Sequence, residues 1–242
     1  MSANLFSLNT ISIILVEPQM GENIGAAARA MKNFSITDLR IVSPRDGWPN
    51  EKAKNMSVGA LEIIEKAKVY SSVPDSLENL EYVYAASAAP RDINKNYVLS
   101  RDLAKEITGY KHVGIMFGRE SSGLNNKELS YANKIVTIDT DVNFSSLNIA
   151  HAVAVIGYEL FQSIKQNRAG LSNINELATH GDLEYFFNHL FDALEQNAFF
   201  RTKDKKAHMQ MKIRNLFNRI DRLSKPEVQT LRGILTNLTK NR

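Results

Sequence analysis

The sequence predicts an α/β protein, a mostly parallel sheet covered by helices, with a small α-helical extension at its C-terminal side. Three observations carry this. Short continuous apolar runs such as Ile11–Val16 read as strands buried on both faces. Such runs alternate with helical periodicity through about residue 166, the pattern of a parallel sheet with crossover helices. Beyond residue 176 the strand patterns stop and three amphipathic helices follow. The expected division is residues 1–166 as one domain, a polar linker at 167–176 carrying Gly170, Ser172 and Asn173, and the extension at 177–242.

The elements follow in order. After the first strand comes a turn with Pro18 and Gly21, and Asn23 is placed to cap an alanine-rich helix running to about Phe34. Residues 39–42 form the next strand. Residues 52–68 read as one helix, with Met56, Ile63, Ile64 and Ala67 on its buried side, and 69–70 as a brief strand. A short helix at 74–80 has Pro74 in its tolerant first turn. Tyr82–Ala86 is a strand, 100–107 a short helix and 112–117 a strong strand. Asn125 caps a helix to Tyr131, and 135–138 is the last strand. Residues 143–162 are a polar turn opening a helix rich in small residues, which Ser145 or Ser146 can cap. In the extension the apolar stripes are Leu183, Phe186, Phe187, Leu190, Phe191 and Leu194; then Met209, Ile213, Leu216, Phe217, Ile220 and Leu223. The third helix opens at a capping box, Ser224 to Glu227, and carries Val228, Leu231, Ile234, Leu235 and Leu238.

Composition narrows the chemistry. The 242 residues include no cysteine, which removes disulfides, thiol nucleophiles and thiolate metal sites. The five histidines show no metal-ligand spacing, so no metal is expected. The first apolar run is too short for a signal or membrane segment, and a cytoplasmic protein is the expectation. Net charge is +4, but residues 201–242 hold 12 Lys+Arg against 3 Asp+Glu, a net +9, so the rest of the chain is acidic. A basic helical segment of that kind is a footprint for a polyanion. Lys203, Lys205, Lys206, Lys212, Arg214 and Arg219 are the candidate phosphate contacts.

Three strand ends in the second half of the sheet carry unusual turns: residues 86–89, 118–124 and 138–146. In open parallel sheets ligands bind outside the carboxyl ends of the strands. Gly118 and Gly123 allow a close backbone approach. Phosphate-loop and dinucleotide glycine fingerprints are absent. A nucleotide-like ligand held by backbone loops, though not a triphosphate, is what remains.

The run from Asn23 to Ala30 with Arg29, the run Phe117-Gly118-Arg119-Glu120 with Gly123-Leu124, and Ser145-Ser146-Leu147-Asn148 with its helix resemble, in order and spacing, the three motifs of the knotted SPOUT RNA 2′-O-methyltransferases. The resemblance covers about residues 10–165. The tail, through residues 185–194, 216–219 and 231–235, is similar to a bacterial branch that methylates the ribose of cytidine or uridine 32 in the tRNA anticodon loop. The resemblance implies a C-terminal trefoil knot in the sheet domain, S-adenosylmethionine (AdoMet) as cofactor, tRNA as partner and a homodimer. It implies cofactor contacts at Ala86, Ser87, Ala88, Gly118, Ile138, Ser145, Ser146 and Leu147. It also implies that Arg29 is the catalytic arginine, that Ser146 and Asn148 lie at the reacting end, and that Asn23 and Glu120 orient RNA or the reacting groups. One departure stands out: Ala86-Ser87-Ala88-Ala89-Pro90-Arg91 lacks the Thr and shifts the Arg that family members place around this serine. Ribosomal RNA remains the alternative substrate, and a non-catalytic RNA-binding protein with the same motifs the other reading.

Overall fold

The computed structural model describes residues 8–88, 94–166, 177–200, 203–220 and 223–240. The linker expected at 167–176 lies outside them, as do Ala89, Pro90 and Arg91. Seven strands form one sheet: β1 (Ile11–Val16), β2 (Asp38–Val42), β3 (Lys68–Tyr70), β4 (Tyr82–Ala86), β5 (Tyr97–Leu99), β6 (Val113–Phe117) and β7 (Lys134–Thr137). All pairings are parallel, in the order β3-β2-β1-β6-β4-β7-β5. Strand β6 is inserted between β1 and β4, and β7 returns on the other side of β4. The carboxyl ends of β6, β4 and β7 therefore stand side by side.

The helices of the sheet domain are α1 (Gly21–Asn33), α2 (Glu51–Met56), α3 (Leu61–Lys66), α4 (Val73–Leu77), α5 (Leu103–Glu106), α6 (Asn126–Tyr131) and α7 (Ile149–Gln166). Alternation along β1 separates two cores. Ile11, Ile13 and Leu15 face α1, α3, α5 and α7, while Ile14 and Val16 join Leu77, Leu80 and Leu129 on the side of α4 and α6. Both faces of the strand are buried, which is why its sequence is continuously apolar.

Three local expectations are corrected. The single helix at 52–68 is two, because Gly59 takes φ +78° between α2 and α3 and Lys68 already belongs to β3; Met56, freed from that stripe, is 44% exposed. Asn23 does not cap α1, which starts at Gly21; its side chain is turned to the site described below. Neither Ser145 nor Ser146 caps α7. Asn148 does, its Oδ1 accepting from Ala150 N at 2.8 Å.

The tail helices are α8 (His180–Gln196), α9 (Lys203–Phe217) and α10 (Lys225–Lys240). Their own core is built on Leu183, Phe186, Phe187, Phe191 and Val228. The capping box at Ser224 and Glu227 forms as expected. Leu216, Ile220, Ile234 and Leu238, assigned by periodicity to the buried stripes, are exposed.

The tail docks through buried polar groups. Asn218 Nδ2 donates to the carbonyls of Ser130 and Ala132 at 2.9 and 3.0 Å, and Lys95 Nζ donates to the same two oxygens. The backbone N–H groups of His180 and Gly181 donate to the carbonyls of Leu80 and Glu78. His180 Nε2 lies 3.2 Å from Asn133 Oδ1, which already accepts from Val83 N. An amide oxygen only accepts, so Nε2 carries a proton and donates, and in a ring this buried the other nitrogen is left unprotonated. Burial, with Arg214 and Lys95 nearby, lowers its pKa to about 3.

Candidate cofactor cleft and RNA-facing surface

A cleft of about 270 Å³ opens at the carboxyl ends of β4, β6 and β7. All eight residues expected to meet a cofactor line it: Ala86, Ser87, Ala88, Gly118, Ile138, Ser145, Ser146 and Leu147. Phe117, Leu124, Val136, Ile149 and Ala152 complete its apolar wall. Positions as distant in the chain as Ala86 and Leu147 thus share one concavity because the strand order brings their turns together.

The middle turn is shaped by Gly118. A Cβ there would sit 2.1 Å from Gly123 C and 2.2 Å from Leu124 N, so the loop folds back against a bare Cα. Arg119 and Gly123 close it with reciprocal backbone hydrogen bonds of 3.3 and 2.8 Å. The Arg119 guanidinium reaches Glu128 through two bonds of 3.0 and 2.8 Å and Glu17 through a third of 2.9 Å. These carboxylates raise its already high pKa, the Glu128 hydrogen bonds most. Glu128 is itself part of the capping box of α6, accepting from Asn125 N. Arg119 therefore braces the loop between the end of β1 and the start of α6.

Glu120 points the other way, to the amino end of α1. Its carboxylate accepts from Gln19 N at 2.8 Å, Met20 N at 3.2 Å and Asn23 Nδ2 at 2.8 Å, where the helix dipole favours a negative charge. Asn23 Oδ1 accepts from Asn148 Nδ2 at 2.9 Å, and Asn148 caps α7. A relay of three side chains, Glu120–Asn23–Asn148, so links the loop after β6, the start of α1 and the start of α7. Gln19 adds to it by accepting from Ser121 N at 3.2 Å. Nothing in the sequence singled out Gln19, whose contribution is as much backbone as side chain. Arg119 was legible only as a motif position.

Ser146 is exposed at the mouth of the cleft. Arg29 is exposed on α1 and does not line the cleft; among the described residues it has no hydrogen-bond or ion-pair partner. Six residues beyond Asn23, it sits about 9 Å further along the helix.

Among the described residues, the charged ones lining the cleft are Arg119 and Glu120. Arg119 is already neutralised by Glu17 and Glu128, so among the described lining residues no free cation is left to receive a phosphate. Apolar walls for a heterocycle, hydroxyls and backbone groups for a ribose, and a carboxylate at the mouth suit a nucleoside with positive charge.

In the tail, Lys205, Lys212 and Arg219 are exposed, Lys206 pairs with Glu195 at 2.6 Å, and Lys203 begins α9. Arg214 departs from the expected set of phosphate contacts. It is paired with Glu184 through both terminal nitrogens, and its guanidinium carbon lies 4.6 Å from the Phe187 ring centroid and 5.1 Å from that of Tyr131. Its charge is spent on docking α9 against α8 and α6.

A parallel sheet with β6 and β7 flanking β4, and a cleft of three late turns with no phosphate cradle among the described residues, are those of a SPOUT-type methyltransferase. A crystal structure of TrmJ from Z. mobilis ZM4 superposes with a TM-score of 0.86 at 36% identity, covering 94% of this chain and 98% of that one. The SpoU rRNA Methylase family profile matches residues 10–158 and that of the tRNA methyltransferase TrmJ C-terminal domain residues 181–242; the chain belongs to the SpoU methylase family. Among sequence relatives, the tRNA (cytidine/uridine/adenosine-2′-O-)-methyltransferase TrmJ of Pseudomonas aeruginosa is 33% identical, covering 96% of this chain and 95% of its own. The tRNA (cytidine-2′-O-)-methyltransferase TrmJ of Methanocaldococcus jannaschii is 35% identical over 77% of this chain and 82% of its own.

Proposed function

We propose that this chain is a tRNA 2′-O-methyltransferase that uses AdoMet and acts on cytidine or uridine 32 of the anticodon loop, as a homodimer. The observation that carries the reading is the convergence of eight separately expected residues on one cleft where the one cation among the described lining residues is already paired. The relatives' names supply the tRNA class, and the basic tail fits a polyanion.

AdoMet supplies a methyl group already activated on sulfonium. The protein's work is alignment, and help for a weakly acidic 2′-hydroxyl. Ala86, Gly118, Ile138 and Leu147 hold the nucleoside through backbone and apolar contacts. Glu120 is fixed by two backbone N–H groups and Asn23, so it orients groups at the mouth with little freedom of its own. Asn148 and Ser146 sit where the ribose enters. Arg29, whose guanidinium offers donors and no acceptor, clamps the neighbouring phosphate and stabilises the developing alkoxide. Because Arg29 lies outside the cleft of its own chain, a second copy of this chain is the natural source of that clamp.

The experiment is a map of ribose methylation in total tRNA from cells with and without the protein. Loss of 2′-O-methylation at position 32 alone supports the reading. An unchanged tRNA map with a methylation lost from ribosomal RNA replaces it.

A further inference from the structure

The solvent side of the seam between α8 and α10 carries a pair that the packing of the tail does not use. Tyr185 on α8 is 60% exposed, and the Arg232 guanidinium on α10 lies over its ring at 4.0 Å from the centroid. Among the described residues, neither the Tyr185 hydroxyl nor the guanidinium has a hydrogen-bond or ion-pair partner, and Arg232 Nε is shielded from solvent without an acceptor. A shielded N–H left without an acceptor is costly, and the terminal nitrogens of the guanidinium remain to donate to a ligand oxygen.

Charge in the neighbourhood favours an anion. Glu184, beside Tyr185, is consumed by Arg214, so it does not compensate Arg232. One turn along α8, Asn188 and His189 offer hydrogen-bonding groups, and Gln229 does the same on α10. Asp182, one turn before Tyr185, is held in the Thr179 cap, and Asp192, two turns after it, is the exposed carboxylate on that side. The setting is polar around one aromatic face, unlike the apolar centre of a protein–protein contact.

We propose that Tyr185 and Arg232 form a contact site for an unpaired RNA segment. An unstacked base lies on the exposed tyrosine ring, and the guanidinium donates to the adjacent phosphate. Every base offers a π-face, so stacking of this kind is tolerant of sequence, while the fork of the guanidinium fits phosphate oxygens. The inference rests on the tRNA reading above and deepens it. It assigns loop contact to the seam between α8 and α10 and leaves the exposed lysines of α9 a general electrostatic part.

The test measures tRNA binding to the full chain over a salt series for the wild type, Tyr185→Ala, Tyr185→Phe and Arg232→Gln. Tyr185→Ala weakens binding about tenfold at every salt concentration and leaves the slope of log K against log salt unchanged. Tyr185→Phe binds like the wild type. Arg232→Gln reduces the magnitude of that slope by about one. Thermal melting and sedimentation of each variant accompany the titration. Wild-type affinity in Tyr185→Ala overturns the proposal. So does a changed oligomeric mass in that variant, which would assign the face to a protein contact. Absence of tRNA binding by the unsubstituted chain would sink the tRNA reading and this inference with it, and is seen before any substitution is made.

Discussion

Acidification tests whether the tail and the sheet domain are one cooperative unit. His180 opens α8, is fully buried, and donates to Asn133 beside β7. Its pKa falls from 6.5 in the unfolded chain to about 3 in the folded one, chiefly through burial. Between these values the unfolded chain takes up a proton that the folded chain refuses, so this stability is present above pH 6.5 and lost as pH falls toward 3. The slope is about 1.4 kcal/mol per pH unit, which gives a loss of about 2 kcal/mol at pH 5. For a protein of this size that is roughly 4–8 °C in Tm. Other groups titrate as well, so the comparison is with His180→Gln, which keeps a donor for Asn133 but does not titrate. Calorimetric scans at pH 7 and pH 5 should show a Tm drop larger in the wild type than in His180→Gln by that amount. Equal drops would refute the buried neutral imidazole. Two separate transitions, with only the smaller moving with pH, would refute the single unit.

Three further outcomes follow from the geometry. Gly118→Ala must push its Cβ into the backbone of Gly123 and Leu124, so AdoMet affinity measured by calorimetry should fall at least tenfold, and an affinity within twofold of wild type would contradict the cradle. Arg29→Lys keeps the charge but loses the two-pronged fork; single-turnover methylation should fall about a hundredfold with AdoMet affinity unchanged, and near-normal turnover would remove the clamp. Lys95 is buried, which lowers its pKa from 10.5 to about 7, so above pH 7 the unfolded chain holds the extra proton and stability rises toward pH 10.5. Melts of the wild type against Lys95→Met should diverge in that sense, and parallel pH profiles would mean that the amine stays charged.

Much of the sheet was legible because its strands are buried on both faces and leave unbroken apolar runs. Tyr97–Leu99 escaped because three residues at a sheet edge, one side exposed, carry too little pattern. The helix expected at 52–68 failed at Gly59, where a positive φ outweighs an apolar period that continues on either side of the break. In the tail, periodicity located the helices but not which stripe is covered: Leu216 and Ile234 match the pattern and still face solvent. The residues around the cleft were legible through motif order, since Ala86 ends β4, Gly118 and Ile138 directly follow β6 and β7, and Leu147 lies just before α7. What holds them was not. The bonds from Arg119 to Glu17 and Glu128 span separations of 102 and 9 residues, and composition carries no trace of them. Arg214 looked like any other cation of a basic tail until Glu184 and three aromatic rings surrounded it.

The central claim is that three late turns enclose a cationic nucleoside without a phosphate site. Calorimetric titration of the full chain with AdoMet, and separately with ATP, tests it most directly. The account predicts one AdoMet per chain and no measurable heat from ATP, because the only cation among the described residues of the cleft is already paired with Glu17 and Glu128. ATP binding as tight as AdoMet, or no AdoMet binding by the folded protein, would contradict it.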